Sequence, residues 1–226
     1  NIKQSIPSFK SYISSFPNGI HALQANFYLA QAYFSEGQEK QSIPNYEYVT
    51  AKSRNEFTEQ SLARLAQIYL KTKDYAKTTE VLKRLETEAD YPQNVTYAQS
   101  NLMKTYYEQK DYTNAVIYAD KVLANSKADD KVKADAQIIV ARSAIQTNDE
   151  VKARIAYAKL ATISKGELAA EALYYDAYFK NKDGKFEASN TAVQKLTKDY
   201  SGYQYFGAKG LLLMAKNYYG LKDSYQ

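Results

Sequence analysis

The sequence predicts an all-α solenoid of about five to six stacked helix pairs, and three observations predict it. Only 8 Gly and 4 Pro occur in 226 residues, too few for the many turns a sheet protein needs. Apolar residues recur at spacings of three and four, the helical period, and no run alternates at period two. Short segments also return at a fixed interval: Gln4-Ser5-Ile6-Pro7 as Gln41-Ser42-Ile43-Pro44, and Lys73-Asp74-Tyr75 as Lys110-Asp111-Tyr112, each after about 37 residues.

Two helix types alternate along the chain. Residues 3–15 carry the Gln-Ser-Ile-Pro signature of a second helix, with Pro7 read in its first turn, where a missing N–H costs nothing. Pro17 marks a break, and residues 18–36 form a first helix through Ala30-Gln31-Ala32-Tyr33-Phe34. The second helix 39–53 places Pro44 as Pro7 is placed. The first helix 56–72 repeats the small-to-aromatic step in Ala66-Gln67-Ile68-Tyr69-Leu70, and 75–88 carries Val81, Leu82 and Leu85 on one face. Pro92 marks the next break. Then come 94–109 with Met103-Lys104-Thr105-Tyr106-Tyr107, and 112–125 with Ala115, Val116, Ala119, Val122 and Leu123. Residues 129–147 hold Ala141 and Ala144, and 150–164 hold Ala153, Ala156, Tyr157 and Leu160. Residues 167–181 contain Tyr175-Asp176-Ala177-Tyr178-Phe179, and 185–199 contain Ala188, Ala192, Val193 and Leu196. The last first helix, 203–220, ends on Ala215-Lys216-Asn217-Tyr218-Tyr219. Polar turns at Asn148-Asp149-Glu150, Lys182-Asp183-Gly184 and Lys222-Asp223-Ser224-Tyr225 continue the series.

Composition narrows the function. Hydrophobic residues at 45% suffice for a continuous core, which excludes disorder. The net charge of +5 is spread among acids with no run of five basic residues, so no nucleic-acid partner is expected. Without Cys there is no disulfide or thiolate metal site. The longest apolar cluster, Leu211 to Ala215, falls far short of a membrane span, so no membrane insertion is expected. His21, the only histidine, reads as a surface residue at a helix start. No phosphate loop occurs, and Gly202, Gly207 and Gly210 do not fit dinucleotide spacing. The acid pairs Asp129-Asp130 and Glu167/Glu171 read as solvated charges or helix caps. No catalytic residue, metal or cofactor is expected, and the chain reads as a non-enzyme. The 23 Tyr are read mainly as packing between helices.

The pattern of small residue, Tyr, Asp-Tyr turn and Ala resembles the tetratricopeptide repeat (TPR), most fully at Leu102-Met103-Lys104-Thr105-Tyr106-Tyr107-Glu108-Gln109-Lys110-Asp111-Tyr112-Thr113-Asn114-Ala115. The likeness runs over nearly the whole chain, with degenerate copies at Ala144/Glu150 and Gly184/Phe186. It implies a right-handed α–α superhelix spanning 1–226 as one solenoid domain, with the first helices lining a concave groove. It also implies a scaffold that binds a partner protein or peptide. The stretch from Phe16-Pro17-Asn18 to Phe34 is similar to bacterial envelope-associated tandem repeats, and the Lys-, Asn- and Tyr-rich usage to Bacteroidetes proteins. A periplasmic or outer-membrane-associated location follows, with the cytoplasm as the alternative.

The groove expected from this likeness is lined by Gln24, Phe27, Gln31, Phe34, Gln60, Gln67, Leu70, Tyr97, Ser100, Lys104, Tyr107, Asp135, Arg142, Asp176, Phe179, Lys216 and Tyr219. Rings would supply contact area to a bound peptide, and amides would bond its backbone. Gln31, Gln67, Lys104 and Arg142 stand where relatives carry a clamp for a terminal carboxylate, and they make such a clamp doubtful. Alternatives are a superhelical accessory domain of a larger enzyme, such as a cell-wall lytic one, or a glycan-binding module. Because residues 3–15 read as a second helix without a first, the chain is expected to be part of a longer array, with homodimers through uncapped ends.

Overall fold

The computed structural model describes residues 2–221, and side chains for 5–221. The Lys222-to-Tyr225 turn expected from the repeat lies outside the described residues. Twelve helices and no strand are present among the described residues. They are α1 Ile2–Ser15, α2 Ala22–Ser35, α3 Glu39–Thr50, α4 Thr58–Thr72, α5 Tyr75–Glu88 and α6 Pro92–Glu108. They continue as α7 Tyr112–Ala124, α8 Asp130–Gln146, α9 Glu150–Ile163, α10 Gly166–Lys182, α11 Phe186–Asp199 and α12 Gln204–Gly220. Even-numbered helices are the first helices of the repeat and odd-numbered ones the second. The chain forms two compact units, residues 1–105 and 106–226, divided in the last turn of α6.

One turn design, used five times, makes the hairpins. Each first helix from α2 to α10 is followed by a residue with positive φ: Gly37, Lys73, Lys110, Asn148 and Gly184, with φ between 56° and 74°. The left-handed residue lets the following N–H fold back on the last helical turn, satisfying carbonyls that the helix end would leave open. Asp74 N donates to Tyr69 O at 3.0 Å, Asp111 N to Tyr106 O at 2.9 Å and Asp149 N to Ala144 O at 2.9 Å. The same aspartates then cap the next helix, accepting from Lys77 N, Asn114 N and Lys152 N at 3.0–3.1 Å. A carboxylate there bonds an orphan donor and offsets the positive end of the helix dipole.

At the fifth hairpin the extra residue Gly184 takes the left-handed place, and Lys185 stands at the N-cap of α11 without a side-chain cap. Two sequence readings are corrected: Pro7 and Pro44 lie inside α1 and α3 beyond the first turn, so each missing N–H leaves a carbonyl four residues earlier, Lys40 in the case of Pro44, without its helical donor. Pro92, by contrast, is the first residue of α6, where no donor is needed.

In the first unit α1 packs on α2, α2 on α3, α3 on α4 and α4 on α5. Phe27 stacks on Phe57 at 4.3 Å and meets Tyr46 edge-on, while Leu62, Leu82 and Leu85 are sealed from solvent. Each such leucine contributes roughly 2 kcal/mol relative to exposure. Ion pairs join successive pairs, as in Lys71–Glu39 at 2.8 Å, and Glu47 accepts from both Tyr69 at 2.7 Å and Lys77 at 2.9 Å.

In the second unit each helix from α7 to α12 packs on the next, and α10 also packs on α12, one first helix against another. Ala170, Tyr174, Leu196 and Phe206 form one core cluster there, and Ala177, Ala192, Val193 and Leu213 another. A Cβ on Gly210 would stand 3.1 Å from Val193 and 3.2 Å from Leu196, so glycine allows α12 to lie close on α11. Of the Leu211-Leu212-Leu213 run, Leu213 is buried while Leu211 and Leu212 are 55% and 68% exposed.

Candidate functional site

The second unit contains an open pocket of about 290 Å³ on its first helices. Tyr107 comes from the end of α6, Arg142, Ile145 and Gln146 from α8, Glu171 and Tyr175 from α10, and Tyr205, Phe206 and Lys209 from α12. Helical spacing explains the convergence: Glu171 and Tyr175 are four apart, as are Arg142 and Gln146 and likewise Tyr205 and Lys209, so each helix presents one stripe.

A buried ion pair forms the floor. The Arg142 guanidinium grips Glu171 with two parallel bonds, Nε to Oε1 at 3.0 Å and Nη2 to Oε2 at 2.5 Å. Tyr157 donates its hydroxyl to Glu171 Oε1 at 2.9 Å. The Glu171 side chain is 5% exposed and that of Arg142 is 40% exposed. The expectation of a solvated Glu171 is therefore wrong: three donors hold its charge inside the protein, which is what makes a buried carboxylate tolerable. The same bonds push the Arg142 pKa up. Burial, then the Glu171 charge, pushes the Tyr157 phenol up, keeping it a neutral donor.

Aromatic rings form the walls. Tyr175 stacks on Tyr157 at 4.1 Å, Tyr205 meets Phe206 edge-on, and Tyr107 meets Tyr112. Burial raises the phenols of Tyr107 and Tyr175. Lys209 reaches across with its ammonium 4.5 Å from the Tyr174 ring centre and 5.3 Å from that of Tyr205, within cation–π range. Tyr205 itself is 66% exposed.

No protein-family model matches the chain. No curated protein is similar to it either. Among solved structures, a tetratricopeptide repeat protein from Parabacteroides merdae is similar over 93% of this chain and 92% of its own, at 13% identity and a TM-score of 0.47. The P58(IPK) TPR domain is similar over 99% of this chain, which spans 62% of that one, at 18% identity and a TM-score of 0.41.

Of the groove residues expected from sequence, the pocket brings together Tyr107 and Arg142. Two others serve the core and are corrected: Phe27 is 5% exposed against Phe57, and Phe179 is 6% exposed under the Arg154 guanidinium, beside Tyr157. Asp176 pairs with Lys180 at 2.7 Å and lines a different pocket, with Arg154 and Asp183. In the first unit, Arg64 lies over the half-buried Phe34 ring and donates to the exposed Gln67 at 3.0 Å. Gln24 is exposed and bonded to His21, which stands exposed at the start of α2. Gln31, Leu70 and Tyr97 are half-buried, and Lys104 is exposed.

Glu171, Tyr175, Tyr205, Phe206 and Lys209 were not among the groove residues expected from sequence. A signal for one existed: Glu171 sits alone in Ala169-Ala170-Glu171-Ala172-Leu173, and a single acid in an apolar run implies a buried partner. Among the described residues no group of three or more His, Cys, Asp or Glu could hold a metal ion, and no helix is long and apolar enough to cross a membrane.

Proposed function

We propose that the repeats of residues 1–226 act as one protein-binding scaffold, taking an extended segment of a partner along the first helices. The observation that carries this reading is the Tyr107–Arg142–Tyr175–Tyr205–Lys209 pocket: open, ring-lined and provided with fixed polar groups. Exposed tyrosines supply large contact area at small entropic cost, the chemistry of peptide-binding surfaces. We place the scaffold in a bacterial envelope complex, periplasmic or attached to the outer membrane, on the strength of the repeat resemblance.

The test is affinity purification from the native host with the wild-type chain and a Tyr205→Ala variant. A defined partner that co-purifies with the first and is lost from the second is the expected result. The same proteins recovered with both, or none reproducibly, would reject the pocket as the binding surface. Fractionation of that host checks the location, and a cytoplasmic pool alone would count against the envelope assignment.

A further inference from the structure

Resting on the scaffold reading, we infer that this pocket selects a partner segment by an internal acidic side chain, a glutamate or aspartate flanked by apolar residues. The pocket's polar groups are unequal. Its one carboxylate, Glu171, is 5% exposed and already accepts three hydrogen bonds, so it has nothing to offer a ligand. Its cations are less fully engaged. Arg142 spends Nε and Nη2 on Glu171, leaving Nη1 without a partner among the described residues, and its side chain is 40% exposed. Lys209 touches the rings of Tyr174 and Tyr205, with no carboxylate partner among the described residues.

Two positive charges against one closed negative charge leave the pocket cationic. An arriving carboxylate would meet both cations beside low-dielectric ring walls, where charge-assisted bonds are stronger than in water. A lysine or arginine of the partner would meet like charges and no free negative acceptor, since Glu171 is already bonded three times. The rings that flank these donors suit apolar side chains on either side of the acid. An amide in place of the acid would keep shape but lose the charge-assisted bond, which is worth about tenfold in affinity.

The experiment measures anisotropy of fluorescent heptapeptides, blocked at both ends, with one central residue between two phenylalanines. The glutamate peptide should bind about tenfold more tightly than its glutamine counterpart, and the gap should shrink as salt rises. Lys209→Met should bring the glutamate peptide down to the affinity of the glutamine one. Lys195→Met, an exposed cation on α11, should leave the gap intact, and circular dichroism confirms that both variants fold. Equal binding of the glutamate and glutamine peptides overturns the inference while leaving the scaffold reading standing, as does preference for a lysine peptide. Binding only of an unblocked peptide, through its terminal carboxylate, also overturns it. Failure of every peptide to bind sinks both.

Discussion

Removing either member of the Arg142–Glu171 pair should cost far more than a surface ion pair does. In Glu171→Ala the Tyr157 hydroxyl, on a ring only 2% exposed, loses its acceptor, and an unsatisfied buried donor costs about 1–3 kcal/mol. Arg142 loses two bonds but, at 40% exposure, regains water on its open side, so its share stays near the low end. The sum is roughly 3 kcal/mol, within the range for breaking a buried pair. Arg142→Ala strands a carboxylate that is 5% exposed with a single phenol donor, and about 3 kcal/mol is expected there too. The double variant should cost less than the two singles combined, by about 1–3 kcal/mol, because the second deletion removes a group already orphaned. Urea melts of the four proteins, followed by circular dichroism, supply the cycle. Additive effects within about 0.5 kcal/mol, or single losses below about 1 kcal/mol, would show that the pair is not a closed unit and that Glu171 reaches water.

The repeated turn gives a second test. Asp111→Ala removes both the cap on Asn114 N at 3.1 Å and the bond from the Asn114 side chain at 2.7 Å, and should cost about 1 kcal/mol in a thermal melt. No change in midpoint would mean the α7 start is held by something else. A third concerns alkali. Burial and the bond to Glu47 push the Tyr69 phenol from 10.0 up to about 12, and burial also raises Tyr46, Tyr157 and Tyr175. A raised phenol contributes stability that is fully present below the unfolded value and is lost as pH rises through the folded one. The melting midpoint should therefore hold up to about pH 10 and fall between pH 10 and 12, with buried tyrosines ionising only as the fold opens. A midpoint level through pH 12 would contradict the burial assigned to these rings.

The fold was legible because its determinants are local and repeated. The caps Asp74, Asp111 and Asp149 announce the second helices to within a residue or two, since a carboxylate at that position bonds the backbone of its own turn. The fifth hairpin departs from that code visibly: the extra residue Gly184 takes the left-handed place, and α11 starts at Phe186, next to the expected 185. That Lys73 and Lys110 adopt positive φ is hidden in sequence, because lysine has no preference for that conformation. The hairpin geometry imposes it, at a cost of roughly 1 kcal/mol each.

The site was less legible because helical periodicity fixes which residues share a face, not which face meets a neighbour. Phe27 and Tyr107 both looked like groove residues on first helices. Phe57, which stacks on Phe27, lies just before the next first helix, so no local pattern predicts that contact. Arg142 and Glu171 illustrate the same limit with charge. They are 29 residues apart, and each alone reads as a solvated group. Only the packing of α10 on α9, with the Arg142 side chain of α8 reaching across, joins the two charges into a pair whose carboxylate is buried and capped by Tyr157. The consequence reaches function: with Glu171 consumed in that pair, the pocket's sign is set by Lys209 and the open edge of Arg142. Arg142 and Glu171 cancel each other, Lys209 leaves the pocket one net positive charge, and the proposed choice of an acidic partner rests on that balance.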